Sequence, residues 1–264
     1  MKVKAVVAYK GTRFFGWQSQ SDGNTVQDHI QKALTTCLRE PVNILGASRT
    51  DSGVHAERQV FSFETTKEFE SEKLRRSANA LTPDDISIFD LCPAEESFHP
   101  IGSAKAKLYR YSICVSDTVS PFFKDFVWHL PQLNNYLVLE GLENYMGRRN
   151  FKSFAAVDGS AKTFERNLFE VLPVLEKSHL HLYFLGEGFL KQMVRNIVGT
   201  QVDFWLDKMG NKKLCEVFAA EDRREAGRTA PARGLTLVKI FYEKPPISIA
   251  QYLSTLSYFP QQIF

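Results

Sequence analysis

The sequence has few of the residues that mark disulfide-bonded, metal-binding or nucleotide-binding proteins. Its 264 residues include only four cysteines, and no two of them have metal-ligand spacing. His179 and His181 alternate with leucines, as along one face of a strand, and the histidines form no cluster. Gly46 and Gly53 lack the lysine and the spacing of a phosphate-binding loop. The sequence therefore predicts no metal site, and it predicts free thiols in a reducing compartment at Cys37, Cys92, Cys114 and Cys215.

Long apolar runs are absent as well. Nothing near the N-terminus resembles a signal peptide, so we expect a cytoplasmic protein without a membrane segment. Apolar residues make up 44% of the chain and charged residues 24%, which are ordinary values for a folded protein. The net charge of +3 permits an RNA partner but does not indicate one.

The first hundred residues have the order strand, helix, strand, strand, helix, strand. Residues 2–9 alternate between polar and apolar side chains, which predicts a strand. Residues 25–38 have apolar side chains at helical spacing, after Asn24 or Thr25 as a cap. The other elements expected here are strands near 42–48, 57–64 and 86–91 and a short basic helix over 71–79.

The second half repeats this order with longer elements. Residues 107–115 alternate regularly and place Tyr109 and Tyr111 on one face of a strand. The other elements expected here are helices over 132–146, 190–206 and 212–226 and strands over 165–175, 179–186 and 234–243.

This element order is the split βαβ, or ferredoxin-like, pattern. Two copies of it predict an α+β protein with an N-terminal subdomain over residues 1–100 and a C-terminal subdomain over 101–264. We expect their sheets to join edge to edge, because that removes exposed strand edges. The linker is expected near residues 93–106, which contain prolines and a glycine. The apolar tail after Pro245-Pro246 is expected to dock on the body of the protein or on a partner.

The segment from Gly46 to His55 has the sequence Gly-Ala-Ser-Arg-Thr-Asp-Ser-Gly-Val-His and lies between two predicted strands. An arginine, hydroxyls and a carboxylate are thus concentrated in a glycine-bounded turn, where a sheet can present an acid to a ligand. An isolated Asp-Ser-Gly is more often only a turn whose aspartate bonds its own backbone. Considered as a turn alone, this segment leaves both interpretations of Asp51 open.

Within this segment, Arg49-Thr50-Asp51-Ser52-Gly53-Val54-His55 resembles the catalytic motif of the TruA-type tRNA pseudouridine synthases, Arg-Thr-Asp-Ala-Gly-Val-His. Ser52 stands where alanine is usual. Further segments resemble signatures of the same family, and they occur in family order from about residue 4 to about residue 242. These segments are Phe14-Phe15-Gly16-Trp17-Gln18 with Thr25-Val26-Gln27, Ser103-Ala104 with Tyr109-Arg110-Tyr111, Phe151-Lys152-Ser153-Phe154, Met193-Val194-Arg195-Asn196-Ile197-Val198-Gly199, and Ala232-Arg233-Gly234-Leu235 through Val238.

The resemblance implies a cofactor-independent isomerase that converts uridine to pseudouridine. The reaction breaks the bond between ribose C1′ and uracil N1, turns the base over and rejoins it through C5. The family pattern makes Asp51 the catalytic carboxylate, Arg195 its ion-pair partner and Tyr109 the ring that stacks on the uracil. The other implied substrate contacts are Arg49, which assists base flipping, Leu235, which packs beside the base, and His55, whose expected role is mainly to support the loop.

Without the resemblance, several of these residues have a plainer interpretation. An arginine in a mostly apolar helix, like Arg195, more often extends to solvent at the helix edge. Tyr109, Tyr111 and Leu235 fit the buried face of a strand, and for Tyr111 core packing is the expected role. Gly199, four residues after Arg195, is expected to let another backbone segment pass close to the same helix face.

The family also implies a tRNA substrate, a homodimer in which one RNA touches both subunits, and a continuous antiparallel sheet with a central catalytic cleft. Its target uridines are tRNA positions 38, 39 and 40 in the anticodon stem-loop, and the RNA is recognised by shape more than by sequence. One departure, the lack of an arginine in Phe98-His99-Pro100-Ile101-Gly102, puts one RNA contact in doubt. Candidate RNA-backbone contacts, each of which alone is more often a solvated charge, are Arg13, Lys73, Arg75, Arg76, Lys105, Lys107, Arg110, Arg148, Arg149 and Lys152.

Two functions from other classes stay open at this point. A non-catalytic RNA-binding protein on the same scaffold predicts that Asp51→Ala leaves function intact. A hydrolase that uses Asp51 as a nucleophile on a small substrate predicts no salt-dependent affinity for tRNA. The hydrolase also predicts no dependence on Arg49 or Arg195.

Overall fold

The computed structural model describes residues 1–21, 23–135, 140–245 and 248–256. Two compact units account for the chain, one formed by Met1–Ala104 with Ala232–Ile240 and the other by Lys105–Pro231 with Phe241–Phe264. Within these described ranges, no helix is both long and apolar enough to cross a membrane. The end of the predicted docking tail, residues 257–264, lies outside the described residues.

The first unit is built on an antiparallel sheet. Its central strands β1 (Lys2–Tyr9) and β3 (His55–Glu64) pair with each other, and the alternation along β1 places one face of that strand in the core. The short strand β2 (Leu45–Gly46) pairs with β3, and β4 (Ile86–Pro93) pairs with β1. The resulting strand order β4-β1-β3-β2 is that of a split βαβ fold.

Two helices complete this unit. The helix α1 (Val26–Leu38) begins after Thr25, whose side chain accepts a hydrogen bond from the backbone N–H of Asp28. Its apolar face buries Ile30 and Leu34 completely. The second helix, α2 (Ser71–Leu81), packs against α1 and β4.

A strand from near the C-terminus also belongs to the first unit. The strand β10 (Leu235–Phe241) pairs in parallel with β3, with Thr236 opposite His55 and Leu237 opposite Ala56. Residues 232–240 therefore lie in the first unit, whereas the sequence-based division at residue 100 placed them in the second. A pairing across such a distance in sequence leaves no local pattern that could have indicated it.

In the second unit β5 (Ala106–Cys114), β9 (His179–Gly186), β8 (Glu165–Glu176) and β7 (Gly147–Asn150) pair antiparallel in that order. The short strand β6 (Trp128–His129) pairs in parallel with β5. The helices of this unit are α3 (Met193–Trp205), which follows β9, and the short α4 (Leu214–Ala220) and α5 (Ile249–Thr255).

The predicted α+β class with mostly antiparallel strand pairing is confirmed. Three predicted elements are shorter in the structure. The strand expected over 42–48 is reduced to β2. The helix expected over 212–226 ends at Ala220, because Glu221 adopts a left-handed conformation with φ 48°. Part of the helix expected over 132–146 lies outside the described residues, and the described parts are 3-10 turns at Pro131–Asn135 and Leu142–Tyr145.

Candidate active site

Asp51 lies in the loop that joins β2 to β3, as the motif predicts. Its side chain is half-buried, the preceding Thr50 is buried, and Arg49 is exposed. The backbone N–H of Val54 donates to the carbonyl oxygen of Asp51 at 3.1 Å, which closes a turn. The loop thus carries an exposed Arg49 and a half-buried Asp51, and an internal hydrogen bond holds its backbone.

The opening segment Phe14–Trp17 also holds this loop in place through hydrogen bonds. The backbone N–H of Trp17 donates to the carbonyl oxygen of Thr50 at 3.1 Å, and the Tyr9 hydroxyl lies 2.8 Å from the hydroxyl of Thr50. The Ser52 hydroxyl donates to the carbonyl oxygen of Phe14 at 3.1 Å. Ser52, the residue that departs from the family motif, therefore adds a bond to the loop instead of disturbing it.

Two glycines allow this close packing. Gly16 has φ +90°, and a Cβ there would lie 2.6 Å from the carbonyl oxygen of Thr50. At Gly46 a side chain would collide with the indole of Trp17, whose exposed fraction is 1%. The similarity of the opening segment to the family therefore has a physical basis, since its backbone supports the residue next to Asp51.

The surroundings of His55 are those of a residue that holds the backbone in place. It is buried, and the backbone N–H of Gly11 donates to its Nδ1 at 3.0 Å. Nδ1 must then be unprotonated, so Nε2 carries the proton and donates to the carbonyl oxygen of Arg233 at 3.1 Å. Both ring nitrogens bind backbone, which ties the end of the Asp51 loop to the segment before β10. The buried Leu235 begins that strand.

Tyr109 lies on β5 of the second unit. Only 5% of its surface is exposed, and its ring packs edge-on against Phe189 with a centroid distance of 4.9 Å. Tyr111, two residues later, is fully buried and its hydroxyl donates to the carbonyl oxygen of Pro231 at 2.8 Å. The core role expected for Tyr111 agrees with these contacts.

Arg195 lies on α3 and is half-buried. Its Nε donates to the carbonyl oxygen of Ala230 at 2.8 Å, and the backbone N–H of Ala230 donates to the carbonyl oxygen of Arg195 at 3.1 Å. The prediction for Gly199 is confirmed, because a Cβ there would collide with the carbonyl group of Arg228. The guanidinium therefore bonds to a passing backbone segment, which fixes the direction of its stem.

The family model of the tRNA pseudouridine synthases matches this chain over residues 5–101 and 142–243. The chain belongs to this family.

Proteins named tRNA pseudouridine synthase A are similar over nearly their whole length. The protein of Thermoanaerobacter sp. (strain X514) is 36% identical over 241 residues, which cover 91% of this chain and 99% of the relative. That of Citrifermentans bemidjiense is 36% identical over 244 residues, covering 92% and 98%. That of Ruminiclostridium cellulolyticum is 37% identical over 243 residues, covering 91% and 99%. The predicted enzyme class, a tRNA pseudouridine synthase and hence an isomerase, is confirmed.

For a tRNA pseudouridine synthase, the state of the basic residues on the surface matters. Lys73, Arg76 and Lys105 are exposed and form no ion pair with another described residue. Burial and the nearby charge of Arg166 lower the pKa of Lys107 to about 8, so Lys107 is not an ordinary solvated lysine. Four of the predicted RNA contacts pair with carboxylates, as Arg13–Asp85, Arg75–Glu72, Arg148–Glu187 and Lys152–Glu221.

Arg110 and Arg149 are not simply solvated either. Arg110 is half-buried on β5, and the guanidinium of Arg149 lies 5.3 Å from the ring centre of Phe218. Ion pairing and burial are decided by packing, so the sequence alone did not distinguish these cations from the exposed, unpaired ones.

One polar network of this family member was missed at the sequence level. Asn196, Thr200 and Asp203 recur along one face of α3 and are buried, although the rest of the helix is mostly apolar. They contact residues 223–230 through hydrogen bonds. The spacing of four and three residues between these polar side chains is the signal that could have indicated a buried polar stripe.

Proposed function

We propose that this protein converts uridine to pseudouridine at positions 38, 39 and 40 of the tRNA anticodon stem-loop, with Asp51 as the catalytic carboxylate. Membership of the family gives the reaction, tRNA pseudouridylation. The observation that most supports Asp51 is its loop, which is bonded on its inner side to Phe14 and Trp17 and leaves the carboxylate half-buried. A fixed acid of this kind can act without costly reorganisation.

The other roles follow the family pattern residue by residue. Arg195 is the ion-pair partner of Asp51 when the site closes over a base. Tyr109 stacks on the uracil, and its hydroxyl takes part in proton movement at C5 as the C1′–N1 bond is replaced by C1′–C5. Leu235 packs beside the base. The edge-on contact of Tyr109 with Phe189 and the bond of Arg195 to Ala230 support these roles, because both side chains are held in one orientation.

The substrate must be turned out of its helix before it can react. Arg49 is exposed two residues before Asp51, and we assign it to the gap that the flipped uridine leaves. His55, with both ring nitrogens bonded to backbone, contributes to binding by holding the loop in shape.

The wider proposal is a cytoplasmic homodimer that needs neither metal nor cofactor and in which one tRNA contacts both subunits. The isomerisation supplies its own atoms, so no co-reactant is required. The molar mass in solution, measured by light scattering with and without tRNA, tests the dimer. A protein that stays at the mass of one chain under both conditions contradicts it.

The decisive experiment compares Asp51→Asn with the wild type on unmodified tRNA, followed by mapping of pseudouridine. Because Asn keeps the shape of the loop but lacks the charge, we expect product formation to fall by about a thousandfold or more with tRNA binding retained. Asp90→Asn, at an exposed carboxylate on β4, is the control and should be fully active. Product from Asp51→Asn at the wild-type rate rejects Asp51 as the catalytic group. A folded wild type that binds tRNA but yields no pseudouridine favours the RNA-binding alternative.

A further inference from the structure

The segment Arg223–Ala230 packs along the polar stripe of α3. We call it the 223–230 segment. Its backbone passes so close to the helix that a Cβ at Gly227 would lie 2.7 Å from the Cα of Thr200. The Thr200 hydroxyl accepts a hydrogen bond from the backbone N–H of Gly227 at 3.0 Å. This packing is specific, because small residues and short polar side chains are required on both surfaces.

Arg223, the first residue of the segment, bonds to several later residues of the same segment. Its guanidinium donates to four oxygens, none of which belongs to a carboxylate. The acceptors are the carbonyl oxygens of Ala226 and Gly227 at 3.4 and 2.8 Å, the Asn196 side-chain oxygen at 3.0 Å and the Thr229 hydroxyl at 2.8 Å. Burial lowers the pKa of Arg223 from its ordinary value. A half-buried guanidinium whose bonds to described residues all go to neutral groups of one short segment and its helix acts as a structural fork for that segment.

The neighbouring contacts fix the C-terminal part of the segment to α3. Asn196 accepts from the Thr229 hydroxyl at 2.7 Å and donates to the carbonyl oxygen of Phe154 at 2.8 Å, so its side chain cannot rotate freely. Asp203 accepts from the backbone N–H of Arg228 at 2.9 Å and pairs with its guanidinium. The segment is therefore bonded to three successive turns of the helix.

The segment ends at the residue that holds Arg195. Ala230 and Arg195 exchange two hydrogen bonds, one of them from the Arg195 Nε to the Ala230 carbonyl oxygen. The preceding residue, Thr229, is held through its hydroxyl by Arg223 and Asn196, which limits movement of the backbone at Ala230. A shift of the segment would thus turn the guanidinium of Arg195.

We propose that Arg223 is a positioning residue for catalysis, which acts by fixing the 223–230 segment and so the guanidinium of Arg195. This inference rests on the proposed role of Arg195. Arg223 itself bonds to protein groups of this segment and α3, so its effect belongs to the rate of the chemical step and not to tRNA affinity.

The first test is Arg223→Lys, which keeps the charge but loses the planar fork. We expect the single-turnover rate to fall by about 10- to 100-fold, as for a displaced catalytic group, while KM and the folded fraction stay near the wild type. The control is Arg224→Lys, because the neighbouring Arg224 is exposed and its side chain bonds to Asp222 alone within the described part of the chain. Thr229→Val, which deletes one hydroxyl from the same network, provides a milder second variant.

A double-mutant cycle with Arg195→Lys separates positioning from general destabilisation. If Arg223 acts through Arg195, Arg223→Lys should lower the rate by less than about twofold in the Arg195→Lys background. An equal loss in both backgrounds, or a wild-type rate for Arg223→Lys, overturns the inference and leaves the role of Arg195 intact. An Arg195→Lys protein with the wild-type rate overturns the proposed role of Arg195 itself and the inference with it.

Discussion

At the scale of the residue, the position of the Asp51 loop depends on a glycine and on backbone groups that cannot react themselves. Gly16 provides a positive φ and the space for the Thr50 carbonyl, and Trp17 bonds that carbonyl through its backbone. A side chain on the glycine would push directly on the residue before Asp51. The geometry of the Asp51 loop therefore depends on the absence of a side chain at Gly16.

The test at this scale is Gly16→Ala. We expect a loss of about 1–3 kcal/mol in the free energy of unfolding, because the left-handed backbone and the contact with Thr50 both penalise a Cβ. The turnover rate of the folded fraction should fall by about tenfold, since the loop that carries Asp51 must shift. Urea denaturation and single-turnover assays measure the two effects.

Gly23→Ala is the matched control. Gly23 also has a positive φ, +70°, but a Cβ there would have no neighbour within 4 Å. It should therefore show the backbone penalty without loss of turnover. Equal turnover in the two variants would contradict the supporting role of Gly16.

At the scale of the element, the pairing of β5 with β9 leaves a titratable side chain, His181, half-buried. His181 lies opposite Ser112, whose hydroxyl is 2.9 Å from Nδ1. Burial, with the charge of Arg110 and then of His179, lowers the pKa of His181 to about 3. The folded strand pair therefore favours the neutral imidazole of His181, so acid conditions should lower the free energy of unfolding.

The sign of the pH effect follows directly. An unfolded histidine takes up its proton near pH 6.5, whereas His181 in the folded chain, with its pKa of about 3, does so only near pH 3. The unfolded state therefore binds more protons between these values, so this contribution to stability is complete above about pH 6.5 and is lost progressively toward pH 3. We expect His181→Gln to make the free energy of unfolding less dependent on pH from about pH 7 to about pH 4.5, measured by urea denaturation.

If His181→Gln and the wild type lose stability in parallel as the pH falls, the half-buried neutral imidazole of His181 is not a source of the acid sensitivity.

At the scale of the whole molecule, the net charge is only +3, but the basic side chains differ in whether they pair with carboxylates. Arg13, Arg75, Arg148 and Lys152 pair with carboxylates of the same chain, whereas Lys73 and Arg76 on α2 are exposed without such a pair in the described structure. Cations that are already paired release fewer counterions when they meet phosphate. The unpaired group should therefore dominate the salt dependence of tRNA binding.

The corresponding prediction concerns the double variant Lys73→Ala, Arg76→Ala. We expect it to weaken tRNA binding and to reduce the slope of log K against log salt concentration by about 0.7–0.9 for each phosphate that the protein no longer neutralises. Binding isotherms from low to moderate salt measure the slope. The double variant Lys32→Ala, Lys208→Ala removes the same charge from two other exposed lysines and should change the slope little. Equal slopes in both double variants would show that α2 does not contact the RNA backbone.

The sequence by itself determined what depends on neighbours along the chain. Apolar periodicity predicted β1, α1 and α3 to within a few residues, since each buries one face of its own. The segment from Arg49 to His55 located the loop that carries Asp51, because a turn between two strands is encoded locally.

Only the tertiary structure decided what depends on distant segments. It placed β10 beside β3, bonded His55 to Gly11 and Arg233, and laid the 223–230 segment on the polar stripe of α3. It also determined which cations are neutralised by carboxylates far away in the sequence. Such pairings arise from packing in three dimensions and have no periodicity along the chain, so the sequence pattern could locate the Asp51 loop but not the contacts that hold it.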